Sequence, residues 1–294
     1  MKLNVVYGRS GTGKSEYIYK QIAKIPQDKK VFIVVPEQCN LSAEQKLFEN
    51  INKKCFINIE VLTLSRMAYR IQNEIGGKID HLSKPGKDML IFDLLTKEKS
   101  DLKFLGNSEK NIDIVNRMFT EFKKHNITIS KLKGTKIENQ YTQLKLNDIT
   151  LLYEKYEEKI NNRFIDENDD LTMLAYNLTK SDMFKDSYVY IDEFLGFTPQ
   201  EYNVFEELIK QCSEITVTVP TDNLEQNLPK ENDIFYFNKL YAKKILEIGK
   251  RNGCEINQIG LEPIYRFKNP ELMFLEKNIN LAKESYKSKC EKIR

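Results

Sequence analysis

Residues 8 to 15 read Gly8-Arg9-Ser10-Gly11-Thr12-Gly13-Lys14-Ser15, the spacing of a phosphate-binding loop. Three glycines let a backbone wrap with its N–H groups facing inward, where they bind anionic oxygens. In such a loop Lys14 reaches the β- and γ-phosphates of a nucleoside triphosphate, and the Ser15 hydroxyl ligates Mg2+. A second run, Tyr188-Val189-Tyr190-Ile191-Asp192-Glu193, ends in two carboxylates. Asp192 would hold the same Mg2+ beside Ser15, directly or through water, and Glu193 would polarise the attacking water as the catalytic group. ATP and Mg2+ are the cofactors this pair of motifs predicts.

These groups need elements to position them. An apolar run at 3–7 precedes the loop and a helical pattern at 16–25 follows it, so a helix N-terminus adds positive potential for phosphate. Short β-branched or aromatic runs at 31–35, 57–62, 187–191 and 214–219 read as buried strands, and Pro36 and Pro220 close two of them. Helical patterns between them argue for a parallel sheet covered on both faces, with the acids at strand carboxyl ends, where such sheets bind ligands. Residues 86–184 carry helical periodicity in Leu90, Leu94, Val115, Phe119, Phe122, Leu152 and Tyr156. That stretch is too long for one crossover and reads as a helical insertion subdomain. The predicted fold is α/β, a phosphate-loop (RecA-like) parallel sheet formed by residues 1–85 and 185–225. Residues 226–294 read as the start of a second, truncated region, with helices at 238–251 and 270–281 and a polar tail at 284–294.

Composition narrows the function classes. At 294 residues with 40% apolar and 30% charged side chains, the chain suits two or three soluble units with a sizeable core. A net charge of +3 does not announce a nucleic-acid binder, so any basic surface must be local. No apolar run approaches the roughly 20 residues that span a bilayer, and no signal peptide precedes the first strand, which predicts a cytoplasmic protein with no membrane partner. The five cysteines, at 39, 55, 212, 254 and 290, form no Cys-x-x-Cys pair and read as reduced thiols. The two histidines, His81 and His125, have no third partner in view, which argues against a histidine triad or metal site.

With Val34-Val35-Pro36-Glu37-Gln38, Val61-Leu62-Thr63-Leu64-Ser65-Arg66-Met67-Ala68, and Ile191-Asp192-Glu193-Phe194 ahead of Phe197-Thr198-Pro199-Gln200, the chain resembles the AddB/RexB family. These are the B subunits of bacterial AddAB-type helicase–nucleases, related to superfamily 1 helicases. Arg266-Phe267-Lys268-Asn269-Pro270-Glu271-Leu272, followed by Leu275-Glu276, resembles the stretch that opens the family's next helicase-like domain. The resemblance implies a part of an ATP-dependent helicase/exonuclease that processes double-strand DNA ends for recombinational repair. Its implied partners are DNA and an AddA-type subunit. Family members continue into a nuclease domain with an iron–sulfur cluster, and none of the five cysteines here lies where a cluster ligand is expected.

The family also places DNA contacts on the loops leaving the second and third strands. Those loops correspond here to Pro36-Glu37-Gln38 and to Thr63, Ser65 and Arg66, whose hydroxyls and guanidinium can grip phosphates without reading sequence. The same groups could equally cap a helix and form a surface ion pair. Asp169-Asp170-Leu171 reads as well as an N-cap as it does a family feature. Three departures bear on turnover. No glutamine segment precedes the loop to read adenine. Pro220-Thr221-Asp222-Asn223 lacks a γ-phosphate sensor, leaving Gln226 as a candidate. The arginine fingers of a second motor domain would lie beyond residue 294. The fragment alone is therefore expected to be inactive. Two rivals remain: a free-standing phosphate-loop ATPase or kinase for a small molecule, and a DNA- or partner-binding scaffold with a vestigial nucleotide site.

Overall fold

Short β-branched segments that hide their side chains from water are satisfied inside a sheet covered on both faces, and Lys2–Tyr7, Val31–Val34, Tyr188–Ile191 and Glu214–Val219 bury nearly all of theirs. The computed structural model describes residues 1–51, 58–76, 80–105, 110–161, 163–224, 233–262 and 265–278. In chain order the elements are β1 (Lys2–Tyr7), α1 (Lys14–Ile22), β2 (Val31–Val34), α2 (Asn40–Asn50), β3 (Ile59–Leu62), α3 (Leu64–Ile75), β4 (Asp80–Leu82), α4 (Lys84–Lys97), α5 (Lys110–Lys124), α6 (Ile129–Gly134) and α7 (Gln140–Ile160). They continue with β5 (Phe164–Asp166), α8 (Asp170–Leu178), β6 (Tyr188–Ile191), α9 (Pro199–Gln211), β7 (Glu214–Val219), α10 (Tyr236–Arg251), β8 (Glu255–Gly260) and α11 (Pro270–Asn278). The chain divides into two compact units. Unit 1 holds Met1–Leu64, Asp182–Phe197 and the described residues from Leu208 onward; unit 2 holds Ser65–Ser181 and Thr198–Glu207.

Unit 1 is built on a six-stranded sheet in the order β3-β2-β6-β7-β1-β8, with every neighbouring pair parallel. The register aligns one edge. Tyr7 pairs with Val219, Val217 with Ile191, Ile191 with Val34 and Val34 with Leu62. The residues that follow these strands, Gly8, Val35, Thr63, Asp192 and Pro220, therefore emerge along one rim of the sheet. On one face Ile18 and Ile22 of α1 and Leu47 of α2 pack with Ile33, Val61 and Tyr190, fixing α1 against the strands that carry the acids.

Unit 2 is mainly helical. Ile91, Leu95, Val115, Phe119, Leu152 and Tyr156 bring α4, α5 and α7 into one core, with Phe119 5.1 Å from Tyr153 and 5.0 Å from Tyr156 between ring centroids. The stretch expected to be helical, 86–184, also contains β5, which pairs in parallel with β4 just before that stretch, Leu82 facing Asp166. Three-residue strands are too short to show a period of two in sequence.

Other expectations shift in detail. The first helix begins at Lys14 and ends at Ile22, β2 ends at Val34 and β6 begins at Tyr188. Segment 255–260 supplies β8, an edge strand paired to β1 that the residue pattern did not announce. Its polar Asn257 and Gln258 hide it, although Asn252-Gly253, with Gly253 at φ 68°, marks the end of the preceding helix. Residue 57 of the expected third strand, Gln226, Cys55, Cys290, the end of the last helix at 279–281 and the 284–294 tail lie outside the described residues. Cys39, Cys212 and Cys254 are free thiols. Among the described residues no helix is long and apolar enough to cross a membrane.

Candidate functional site

The loop between β1 and α1 turns on two glycines in left-handed conformations, Gly11 at φ 85° and Gly13 at φ 81°, which any side chain would strain. Gly13 caps α1, and no side chain bonds the helix's first N–H groups. Those donors are thus left for an anion. Within the loop the Thr12 hydroxyl donates to the Arg9 carbonyl at 3.0 Å. Lys14 folds back over the loop, its Nζ donating to the carbonyls of Gly8 at 2.7 Å and Arg9 at 2.9 Å. Burial pushes the Lys14 ammonium below the usual lysine range, and the charge of Asp192 opposes that shift. Ser15 follows, half-buried, in the first turn.

Asp192 leaves the end of β6 nearly shielded from water, at 4% exposure. Its Oδ1 accepts the Thr218 hydroxyl of β7 at 2.6 Å, and its N–H donates to the Val34 carbonyl. The Asp192 charge thus acts on the loop lysine from the same rim of the sheet. Glu193, one residue on, is held elsewhere. Its backbone is left-handed, at φ 65°. Its Oε1 lies 2.7 Å from Lys46 Nζ on α2. Burial pushes the Glu193 carboxyl up, but the bonds from Lys46 and the Cys39 thiol outweigh it and leave it below the usual range. The Cys39 thiol is in turn pushed up to about 11, by burial first and then by Glu193. Burial, reinforced by Asp192 and Glu193, also raises the Tyr19 hydroxyl of α1.

Among the described residues no group of three or more His, Cys, Asp or Glu side chains could hold a metal alone. A divalent ion here would take one hydroxyl, one carboxylate and otherwise phosphate or water oxygens, the ligand set Mg2+ favours. The residues present fit a nucleotide phosphate group and its Mg2+.

The stretch after β8, singled out in the sequence only for its family resemblance, packs on this loop. The Leu261 N–H donates to the Tyr7 carbonyl at 2.8 Å, and the Tyr265 N–H to the Gly11 carbonyl at 2.9 Å. Arg266 Nη1 donates to the Ser10 hydroxyl at 3.2 Å. The Tyr265 ring stands beside Gly13, where an added Cβ would meet it at 3.7 Å, and remains 70% exposed. Arg9, expected to serve phosphate, gives its guanidinium to α11 instead. Nε reaches both Glu276 oxygens at 2.8 and 3.1 Å, Nη2 donates to the Glu276 carbonyl at 2.7 Å, and Phe235 lies 5.1 Å below. No local pattern in the sequence signals these partners, since more than 220 positions separate them.

Of the residues expected to grip DNA, Thr63 is buried at 1% exposure, whereas Ser65 and Arg66 are exposed in the first turn of α3. Ser65 borders a cleft of about 460 Å3 in unit 2 that also involves Tyr69, Gln72, His81, Asp170 and Asn177. There Asn177 donates to Gln72 at 2.8 Å, and His81 Nδ1 lies 3.6 Å from Asp170.

Comparison with known proteins places similarity along nearly the whole chain. A family model described as "ADDB, N-terminal" matches residues 5–276. A protein of Clostridium tetani (strain Massachusetts / E88) is 38% identical over 296 residues, covering 95% of this chain and 26% of the relative. One of Clostridium acetobutylicum is 34% identical over 307 residues, covering all of this chain and 26% of the relative. One of Clostridium botulinum (strain Loch Maree / Type A3) is 34% identical over 310 residues, again covering all of this chain and 27% of the relative. Each of the three is named as the B subunit of an ATP-dependent helicase/deoxyribonuclease. The chain spans about a quarter of the length of these relatives.

Proposed function

This chain belongs to the ADDB N-terminal family, and from that premise we propose that it is the nucleotide-binding first part of the B subunit of an ATP-dependent helicase/deoxyribonuclease. In this reading it works in the cytoplasm, on double-strand DNA ends, beside an AddA-type subunit in recombinational repair. Unit 1 is the RecA-like domain, and unit 2 is its insertion, with Ser65 and Arg66 facing DNA phosphates. The family premise weighs against a free-standing small-molecule kinase.

The observation that carries the reading is the glycine-turned loop, with Lys14 folded over it, at the same rim of the parallel sheet where Asp192 leaves β6. Bound ATP with Mg2+ would supply the phosphoanhydride bond and the neutralising cation. The chain's own residues would do the rest. Lys14 exchanges the carbonyls of Gly8 and Arg9 for phosphate oxygens, and the uncapped N–H groups from Gly13 onward hold the same oxygens. Ser15 and Asp192 hold the metal. The exposed Tyr265 ring offers a face on which a base can stack, and Arg266 stands by Ser10 for phosphate. Glu193 is tied to Lys46, which favours a site that binds ATP and turns it over far below the roughly 1–10³ s⁻¹ usual for enzymes.

Titration of the chain with a fluorescent ATP analogue and Mg2+ tests this. Lys14→Ala should weaken binding by about 10- to 150-fold, the worth of bonds to a charged group. Equal affinity in the two proteins would remove the loop from the binding site.

A further inference from the structure

If the nucleotide reading above holds, and the following rests on it, Glu193 should stand ready for a water at the γ-phosphate. Its carboxylate is engaged instead. Both groups that hold it come from the segment leaving β2. The Cys39 thiol lies at the end of a 3₁₀ turn, Glu37–Cys39, and Lys46 lies in α2 at 2.7 Å. The roots of the two segments are also joined, because β2 and β6 are neighbours and the Asp192 N–H donates to the Val34 carbonyl. Glu193 adopts its grip with a left-handed backbone, which costs any residue bearing a Cβ. A strained residue held by a side chain from another segment has a second, relaxed arrangement available once the hold is released.

We infer that Lys46, assisted by Cys39, is a restraint on Glu193, and that displacement of segment 37–46 frees the carboxylate to act. Lys46 is a positioning residue. It acts through Glu193, whose carboxylate it holds. Once free, the Glu193 carboxylate accepts a proton from the water whose oxygen attacks the γ-phosphorus. The bond from that phosphorus to the β-phosphate bridging oxygen breaks, the nucleoside diphosphate leaves, and the proton passes from Glu193 to solvent. Glu37 and Gln38 are exposed at the outer end of the segment, so a ligand that moves them acts on Cys39 directly. Both ion-pair side chains remain partly open to water, 41% for Lys46 and 29% for Glu193. The restraint is therefore a bias of roughly two- to fivefold, as for other exposed pairs.

The experiment is single-turnover hydrolysis of γ-labelled ATP with Mg2+ by excess chain, alongside binding of a fluorescent ATP analogue. Lys46→Met should raise the hydrolysis rate roughly two- to fivefold with unchanged affinity, while Lys46→Arg, which keeps the ion pair, should stay at the wild-type rate. Adding Glu193→Gln to Lys46→Met should abolish the gain. Equal rates for Lys46→Met and wild type, or a gain that survives Glu193→Gln, would overturn the restraint while leaving the nucleotide reading intact. Absence of nucleotide binding in every protein would overturn the nucleotide reading, and the restraint with it. Thermal melting checks folding, and if Lys46→Met does not fold, Cys39→Ala must give the smaller gain expected from losing one donor.

Discussion

Asp166 of unit 2 and Asp192 of unit 1 both sit at the carboxyl end of a parallel strand, and both are shielded from water, at 0% and 4% exposure. Their surroundings differ. Asp166 accepts the Tyr156 hydroxyl at 2.6 Å and the Asn168 N–H at 3.1 Å. The buried Lys87 ammonium lies 2.9 Å away, as an ion pair rather than a directed hydrogen bond, and Lys123 lies 4.0 Å away. Among the described residues Asp192 has one side-chain hydrogen bond, from Thr218. A carboxylate offers about four acceptor sites. The first is used up by the protein, whereas the second keeps capacity for a ligand. Saturation therefore separates a structural buried acid from one available for chemistry, although both look alike in burial.

The largest test of that contrast is Asp166→Asn, which should cost about 3–5 kcal/mol, because it strands the buried Lys87 ammonium, whereas Lys123 keeps Asp169 and Glu157. Denaturant unfolding followed by tyrosine fluorescence measures it. A loss under about 1 kcal/mol would mean that the cluster is dispensable and the contrast false.

The cost should also depend on pH. Burial pushes the Asp166 carboxyl up, but the Tyr156 and Asn168 hydrogen bonds and the Lys87 ion pair outweigh burial and hold it below the usual range. Its contribution is then complete above the unfolded value of about 3.9 and lost as pH falls through the lower folded value. Glu157, pushed up by burial, works with the opposite sign in both proteins. The stability gap between wild type and Asp166→Asn should thus narrow below about pH 4. A gap constant from pH 7 to pH 3 would refute the assignment.

Asp192→Asn should change stability by less than about 1 kcal/mol, since one oxygen still accepts the Thr218 hydroxyl. It should instead remove on the order of tenfold from the Mg2+-dependent gain in ATP affinity. Calorimetric titrations with and without Mg2+ would show this. Full retention of the gain would leave Asp192 as structural as Asp166.

The smallest effect concerns the cations of unit 2, where Lys87 and Lys123 are buried and Arg66 is exposed. Arg66→Ala should make the log–log salt dependence of single-stranded DNA binding shallower by about 0.7, whatever the sequence. Fluorescence anisotropy across a salt series measures that slope, and an unchanged slope would take Arg66 out of any DNA contact.

Several elements were legible because their signals are local. The glycines at 8, 11 and 13 with Lys14 mark a turn into a helix within eight residues, and β2, β6 and β7 are runs whose β-branched side chains need no distant partner to declare a strand. Edge strand β8 and the three-residue pair β4–β5 escaped, since half-exposed or very short strands carry little apolar periodicity.

The amino-acid sequence by itself thus determined the loop, its strand and helix, and the presence of two acids at a strand end, because each depends on residues adjacent in the chain. Tertiary structure alone decided what those groups touch. Glu193 meets Lys46 across 147 positions, Arg9 meets Glu276 across 267, and Asn4 meets Thr216 across 212. Such pairings have no period and no spacing rule. They follow from the path the backbone takes once the sheet has formed, and that path settles which charges are neutralised inside the protein and which keep capacity for a ligand.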